Sequence, residues 1–336
     1  MVAERGAVDF LPFRIAATQA AFLLLLSEEL PNSMSAPALF PRQAAVLILA
    51  ALACSFAAGH IAARIAFDHD TGLLLAMLCR AGVTALALGM LVLWRGDSLR
   101  MTRQTWGWQL LLGLLIAVQS FCIYSAVARI PVALALLVVN LAPIMLALLT
   151  WALGGPRPTR RVILLMAMIL IGLLLALDVP TQLAGQRSVD ARWVEGVLFG
   201  LTGAVVFACA LWITEHKLSG MPGTVRSMLT LLVVFAASAL AGAGGLLPGG
   251  MHPPNAEAGW IALGCLVLLY GVAFSALFIL VTRLDIARNA PVMNMEPVAG
   301  LVFGWLILGQ LLNGLQIVGG LIVVGGIVLL TYRRPT

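Results

Sequence analysis

The sequence has little charge and almost no lysine. Only 10% of its 336 residues are charged and 62% are hydrophobic, whereas soluble domains carry about 25% charged residues. Such a composition cannot coat a soluble globule with polar side chains, but it can face lipid. The basic residues are nineteen Arg and one Lys, and they lie in short loops between apolar runs. We interpret them as determinants of topology, not as a nucleic-acid-binding surface.

Cysteine and the usual catalytic motifs are also scarce. No two of the five cysteines have metal-ligand spacing and each lies inside an apolar run, which predicts small apolar fillers. These residues are Cys54, Cys79, Cys122, Cys209 and Cys265. The chain lacks a phosphate-cradling glycine motif and a His-Glu-x-x-His motif. We therefore predict no cofactor, no metal and no ATP hydrolysis, and we interpret Asp68, His69 and Asp70 as a solvated loop.

Long apolar runs dominate what remains. A bilayer core needs about 20 mostly apolar residues per helix, and continuously apolar runs favour helices over barrel strands. The sequence predicts an all-α membrane protein of ten spans. They lie near 44–66, 73–94, 108–128, 132–152, 162–178, 194–214, 228–248, 258–281, 291–308 and 315–332.

The distribution of Lys and Arg predicts the orientation of these spans. If the N-terminus is cytoplasmic, thirteen basic residues fall in inside segments and four in outside loops. Because cytoplasmic loops are enriched in Lys and Arg, both termini are expected in the cytoplasm. The arginine-rich composition favours a bacterial protein, and hence a multi-pass protein of the bacterial inner membrane.

Residues 1–33 fit this plan poorly. Their apolar run, 15–26, is too short to span a bilayer, and Glu28, Glu29 and Pro31 follow it. We expect Met34 to be the native start and the preceding residues to be an extension.

An internal repeat divides the chain into two halves. An ungapped shift of 154 residues aligns eight positions of one 35-residue window with identical residues, including the rarer Arg, Asn, Pro and Trp. The aligned residues are Val127, Arg129, Ala133, Val138, Asn140, Pro143, Trp151 and Gly155 with Val281, Arg283, Ala287, Val292, Asn294, Pro297, Trp305 and Gly309. Each half contains five spans, an odd number, so the two halves have opposite orientations. Inverted repeats are typical of secondary transporters with a binding site near the midplane.

We therefore divide the chain as follows. Residues 1–43 are an extension, 44–178 the first five-helix repeat, 179–193 an inter-repeat loop, 194–332 the second repeat and 333–336 a cytoplasmic tail.

Several of these residues also carry a resemblance to a known family. They are Arg80 in span 2, the run Asn140 to Pro143 in span 4, the run Asn294 to Val298 in span 9, and Gly304, Trp305, Gly309, Gln316 and Gly319. In this pattern the chain resembles the drug/metabolite transporter superfamily, in its EamA-type ten-helix branch, over roughly residues 44–332. Within that branch it is most similar in size and plan to amino-acid exporters of the YddG type. The family usually has an acidic residue after the glycine that ends span 9, whereas this chain has Gln310 there and Pro156 in the first repeat.

Two prolines with nearby asparagines form one group of candidate residues. Pro143 and Pro297 each remove a backbone donor and free the carbonyl four residues earlier. Asn140 and Asn294 lie three residues before them, on nearly the same helix face. The two asparagines can form a polar pair that binds substrate, or each can satisfy the backbone of its own helix.

Ionisable residues within spans form a second group. Because an intramembrane charge is costly, such residues usually face the bundle interior or water. Glu296 can couple protons to export, bind a substrate amino group, or serve as a structural partner. Arg80 can attract a substrate carboxylate or hold helices together. His60 in span 1 can titrate, donate to substrate or bond a neighbouring helix.

Aromatic and amide side chains form a third group. Gln119, Ser120 and Tyr124 fall along one side of span 3, and Trp212, Tyr270 and Phe274 lie in spans 6 and 8. They can line a cavity for a zwitterion with an apolar side chain, or they can serve only for packing and interfacial anchoring.

These observations predict a non-enzymatic secondary transporter that exports amino acids or similar small metabolites by alternating access. Its partners are a small-molecule solute, membrane lipid and, where transport is coupled, protons; we expect no nucleic acid, and a monomer. The alternatives are a carrier for cationic drugs, nucleobases or sugar derivatives, an intramembrane enzyme acting on lipid-linked substrates, or a scaffold or receptor subunit that carries no solute.

Overall fold

The computed structural model of the chain describes residues 40–96, 99, 101–155, 159–177, 190–245, 250–280, 284, 292 and 295–331. All regular structure in these ranges is helical apart from isolated turns. We number the helices after the spans, with the two halves of the fourth called α4a and α4b. They are α1 (Arg42–Asp68), α2 (Leu73–Arg95), α3 (Arg103–Val127), α4a (Val132–Val139), α4b (Ala142–Ala152), α5 (Arg160–Ala176), α6 (Ala191–His216), α7 (Gly223–Ala243), α8 (Glu257–Leu280), α9 (Met295–Leu308) and α10 (Gly314–Thr331).

The predicted all-helical membrane fold is confirmed. Seven helical segments in the described ranges are long and apolar enough to cross a membrane, with α4a and α4b counted as one. Three shorter apolar helices, within α5, α9 and α10, account for the other predicted spans. Residues 1–39, the inter-repeat residues 178–189 and Asn294 lie outside the described residues.

The structure corrects the predicted start of two spans. Span 3 was expected to begin at 108, whereas α3 begins at Arg103, where the Thr102 side chain caps the helix by accepting a hydrogen bond from the Thr105 amide. Span 7 was expected at 228–248, whereas α7 is Gly223–Ala243. Pro222 precedes its first residue with a φ of −54°, which suits the entry to a helix. The helix is followed by Gly245, whose φ of +67° favours glycine. Hydropathy alone placed this span too late because the apolar run continues past these residues.

The chain forms two compact units, and each unit draws helices from both sequence repeats. Unit 1 contains α1, α2, α7 and α8. Within it α8 packs against α1 and α2, and α7 packs against α2. The α1–α2 turn meets the α7–α8 loop, where the Gly72 amide donates to the His252 carbonyl at 2.8 Å and the Asn255 amide donates to the His69 carbonyl at 3.1 Å. These two loops therefore lie at the same end of unit 1, as expected when successive spans cross the membrane in alternating directions.

Unit 2 contains α3, both halves of α4, α5, α6, α9 and α10. Within it α6 packs against α3 and both halves of α4, α9 against α4a, and α10 against α5. Glycines permit several of these approaches. A Cβ atom on Gly319 of α10 would collide with the Ala176 backbone of α5, and one on Gly200 of α6 would lie 2.8 Å from Val138 Cγ1. Close helix packing through small residues is the usual solution in membranes, where lipid supplies no hydrophobic drive between helices.

Helix pairing within the units follows the sequence repeat. With five helices per repeat, α1 corresponds to α6 and α3 to α8. The α1–α8 pair of unit 1 and the α6–α3 pair of unit 2 are therefore equivalent, and each is a main contact of its unit. The other main pairs join repeat mates directly: α2 with α7, α4a with α9 and α5 with α10.

Candidate functional site

Arg80 is a buried cation within unit 1. It lies on α2, and only 5% of the residue is exposed. Its guanidinium carbon is 4.1 Å from the ring centroid of Tyr270 on α8, a distance at which a cation is attracted to the face of an aromatic ring. The Thr84 hydroxyl donates to the Arg80 carbonyl at 2.8 Å. A Cβ atom on Gly271 would lie 3.3 Å from that hydroxyl oxygen, so α8 passes close to α2 here.

Tyr270 belongs to an aromatic group. It stacks on Phe274, one turn further along α8, with ring centroids 5.2 Å apart and an interplanar angle of 21°. Phe56 of α1 meets Tyr270 edge-on, at 5.9 Å and 66°. His60 lies one turn beyond Phe56 on α1 and is half-buried. Unit 1 thus combines a buried guanidinium with three aromatic rings from two helices, which we call the Arg80–aromatic cluster.

The polar face of α3 lies inside unit 2. Tyr124 is fully buried and Ser120 nearly so, while Gln119 is half-buried. Sequence reasoning missed Gln109, which is fully buried on the same helix. The spacing in the sequence could have identified it. Gln109, Ser120 and Tyr124 are separated by eleven and four residues, close to whole turns of a helix, so they lie on the same face of α3.

Asn140 bonds to its own helix. Its side-chain amide donates to the Leu136 carbonyl at 2.8 Å. The sequence pointed to the carbonyl that Pro143 leaves without a donor, at Val139, but the observed acceptor lies one turn earlier. The interruption between α4a and α4b falls at Asn140 and Leu141, and Pro143 is in the first turn of α4b, where a proline needs no amide hydrogen.

Glu296 and Pro297 lie in the first turn of α9. Glu296 is half-buried, and a carboxylate at this end of a helix is favoured by the helix dipole. Pro297 here begins a helix and does not interrupt one within the described residues. Its asparagine, Asn294, lies outside them.

Gln310 connects α9 to α4a. Its side-chain oxygen accepts a hydrogen bond from the Val132 amide at 3.2 Å, one of the amides that a helix N-terminus leaves without an internal partner. The backbone amide of Gln310 donates to the Gly304 carbonyl at 3.0 Å. Gln310, which stands where the family usually has an acidic residue, thus caps the N-terminus of α4a from a position distant in the sequence.

The remaining candidates lie near the ends of the helices. Trp212 stacks on His216 at the end of α6, with ring centroids 4.8 Å apart. In the α1–α2 turn, Asp68 pairs with Arg64 at 3.0 Å, and Asp70 accepts a hydrogen bond from the Asn255 side chain. Among the described residues, no group of three or more His, Cys, Asp or Glu side chains is placed to hold a metal ion.

Comparison with known proteins identifies the family. No curated protein matches the chain. Among solved structures, the crystal structure of one protein matches with a TM-score of 0.58 and 22% sequence identity, covering 85% of this chain and 98% of that chain. At this identity the likeness shows the fold alone. The model of the EamA-like transporter family matches residues 43–177 and 194–332, most of the chain. The protein therefore belongs to the EamA-like transporter family, and it is a multi-pass membrane transporter of the drug/metabolite transporter superfamily.

Proposed function

We propose that this transporter is a secondary carrier that exports amino acids or similar small metabolites by alternating access across the bacterial inner membrane. Family membership supports transport of a small solute. The observation that supports the solute class is the Arg80–aromatic cluster, in which a buried guanidinium lies 4.1 Å above the ring of Tyr270. The proposed orientation has both termini in the cytoplasm, as the distribution of arginines favours.

The chemistry of the cluster suits a carboxylate beside an apolar group. A guanidinium offers five N–H donors in a planar fork that matches a carboxylate, and it stays charged at physiological pH. The rings of Phe56, Tyr270 and Phe274 offer apolar faces beside it. An amino acid or a related carboxylated metabolite has both features. A buried cation repels cationic drugs, so this alternative fits less well. The amino-acid exporters of the YddG type are the branch that we propose.

Glu296 is the second charged group of the proposal. Its place in the first turn of α9, half-buried, suits either a carboxylate that binds a substrate ammonium group or one that takes up a proton. These two roles differ in their effect on transport. Loss of an ammonium ligand weakens substrate affinity, whereas loss of a proton acceptor removes the pH dependence of transport.

Uptake into proteoliposomes tests the proposal. Purified protein should take up radiolabelled amino acids saturably, relative to empty liposomes, and unlabelled amino acids should abolish that uptake. Arg80→Gln should reduce uptake at least about tenfold, because a hydrogen bond to a charged group contributes about 1.5–3 kcal/mol. Arg80→Lys should recover only part of it, since an ammonium lacks the planar fork. Arg192→Gln, which removes an exposed arginine on α6, serves as the control for loss of charge.

Two outcomes would contradict the proposal. One is no uptake of any amino acid by folded, inserted protein, with uptake of nucleobases or sugar derivatives instead. The other is wild-type uptake by the Arg80→Gln variant, which would reduce Arg80 to a structural role. In the same assay, unchanged affinity and unchanged pH dependence in Glu296→Gln would show that Glu296 takes no part in transport.

A further inference from the structure

The single lysine of the chain lies between two tryptophans in unit 2. The Lys217 ammonium is 5.4 Å from the ring centroid of Trp108 on α3 and 5.7 Å from that of Trp212 on α6. Trp212 in turn stacks nearly parallel to His216, and a ring nitrogen of His216, Nδ1, lies 3.0 Å from the Trp212 carbonyl oxygen. We call these four residues the tryptophan–lysine cluster. It is distinct from the Arg80–aromatic cluster, which belongs to unit 1.

Three side chains of the cluster, Lys217, Trp108 and Trp212, are hydrogen-bond donors without an acceptor among the described residues. Among the described residues, the Lys217 ammonium forms no ion pair and neither indole N–H donates to a protein acceptor. Lys217 and His216 are both exposed, so a ligand can reach the ammonium group. An ammonium group and indole N–H groups are donors only. These donors can therefore bind a ligand that carries acceptors, and an anionic acceptor forms the strongest hydrogen bonds with them.

The position of the cluster relates it to lipid. It lies near the start of α3 and the end of α6, where two apolar spans finish. Beyond Trp108 along α3, the large apolar residues Leu111, Leu114 and Val118 are exposed, as a lipid-facing surface requires. Tryptophan and lysine at such a level are typical of the interface between acyl chains and headgroups. The nearest opposing charge in sequence, Glu215, is itself exposed.

We propose that the tryptophan–lysine cluster binds the headgroup phosphate of an anionic membrane phospholipid, whose acyl chain lies along the exposed leucines of α3. Lys217 supplies the charge and the indole N–H groups supply hydrogen bonds to the phosphate oxygens. The predicted orientation places the cluster on the cytoplasmic side, where anionic lipids attract basic residues. The apolar strip on α3 favours a lipid over free phosphate, because free phosphate gains nothing from it. The site is independent of the transported solute.

Lipid binding by the purified full-length protein tests this assignment. The protein, delipidated in detergent, is titrated with phosphatidylglycerol or phosphatidylcholine, and bound lipid is measured by native mass spectrometry with melting temperature in parallel. Wild-type protein should bind phosphatidylglycerol more tightly and gain more thermal stability from it. Lys217→Gln should weaken phosphatidylglycerol binding about fivefold, the factor expected for one cation at an anionic surface. Arg192→Gln removes the same charge from the opposite end of α6 and should leave binding unchanged.

A second variant separates lipid binding from structure. Trp108→Phe keeps an aromatic ring but removes the indole N–H, so it should weaken phosphatidylglycerol binding while preserving the melting temperature without lipid. If Lys217→Gln lowers the melting temperature without lipid and leaves lipid binding intact, the cluster only fastens α3 to α6 and the proposal is wrong. Equal binding of the two lipids by wild-type protein would overturn it. So would equal stabilisation by inorganic phosphate, which would indicate a soluble anion.

Discussion

The two repeat-equivalent helix pairs use polar residues in opposite ways. In the α1–α8 pair of unit 1, Tyr270 lies well inside α8 and receives the Arg80 guanidinium from α2. In the α3–α6 pair of unit 2, the described contacts of charged residues lie at the ends: the Arg129–Glu195 ion pair at one end and the cation–π contacts of Lys217 with the tryptophans at the other. The α1–α8 pair therefore receives a buried cation from α2. In the α3–α6 pair the charged side chains lie near the helix ends, and the buried polar residues of α3 (Gln109, Ser120 and Tyr124) are uncharged. Because an intramembrane charge is retained mostly for function, the comparison makes the α1–α8 pair the better candidate for a role in transport.

Glycine use sharpens the contrast. A Cβ atom on Gly203 of α6 would lie 3.3 Å from Cys122 Cβ on α3, tighter than ordinary contact. In the other pair, a Cβ atom on Gly59 of α1 would lie 3.9 Å from Leu269 Cβ on α8, an ordinary contact. Within these two equivalent pairs, glycine thus brings α6 closer to α3 than it brings α1 to α8, and the α1–α8 pair leaves room for large aromatic rings.

The largest expected effect comes from a substitution that disrupts the close packing of unit 2. Gly200→Leu places a side chain where Val138 Cγ1 would be only 2.8 Å from the new Cβ atom. Overpacking of this kind costs about 3 kcal/mol, which lowers the melting temperature by about 4 °C in a chain of this length. Thermal unfolding in detergent measures the effect.

Gly264→Leu on α8 is the matched control. Gly264 is exposed and nothing lies within 4 Å of an added Cβ atom, so the melting temperature of this variant should match that of the wild type. If both variants lost the same amount in melting temperature, the loss would come from replacing a helical glycine by leucine and not from the contact of α6 with Val138.

The next effect in size concerns the Gln310 cap. Gln310→Ala leaves the Val132 amide without its 3.2 Å acceptor and should destabilise the protein by about 1 kcal/mol, as loss of a helix cap typically does. Gln310→Glu keeps the acceptor and adds a negative charge at a helix N-terminus, so it should be at least as stable as the wild type. A stable alanine variant would show that the cap contributes little to unit 2.

The smallest effect concerns the ion pair at one end of α3 and α6. Arg129 Nε lies 3.0 Å from Glu195 Oε2, but the Glu195 side chain is 57% exposed. A double-mutant cycle with Arg129→Gln and Glu195→Gln should give a coupling energy below about 1 kcal/mol, and high salt should reduce it. A larger, salt-independent coupling would mean that this end of unit 2 is more rigid than its exposure implies.

Local patterns in the sequence predicted the spans well but not the partners of the polar residues. The ten apolar runs required no knowledge of long-range contacts, and Arg80 was recognised because an arginine inside an apolar run is rare. Its aromatic partner Tyr270 lies on a helix of the other repeat, and no spacing rule connects the two. Gln310 was noted only as a departure from the family pattern, since its hydrogen bond to Val132 joins residues 178 positions apart. The acceptor of Asn140 was placed one turn too late because the rule for proline identifies the vacant carbonyl, not the geometry of the interruption.

The discontinuous composition of unit 1 has a consequence for biogenesis. Helices α1 and α2 leave the ribosome early, but α7 and α8 belong to the second repeat. During synthesis, Arg80 therefore enters the bilayer well before Tyr270 exists, and nascent chains that end before α8 hold this arginine without its aromatic neighbour. Because each unit needs helices from both repeats, neither can close until the second repeat is inserted.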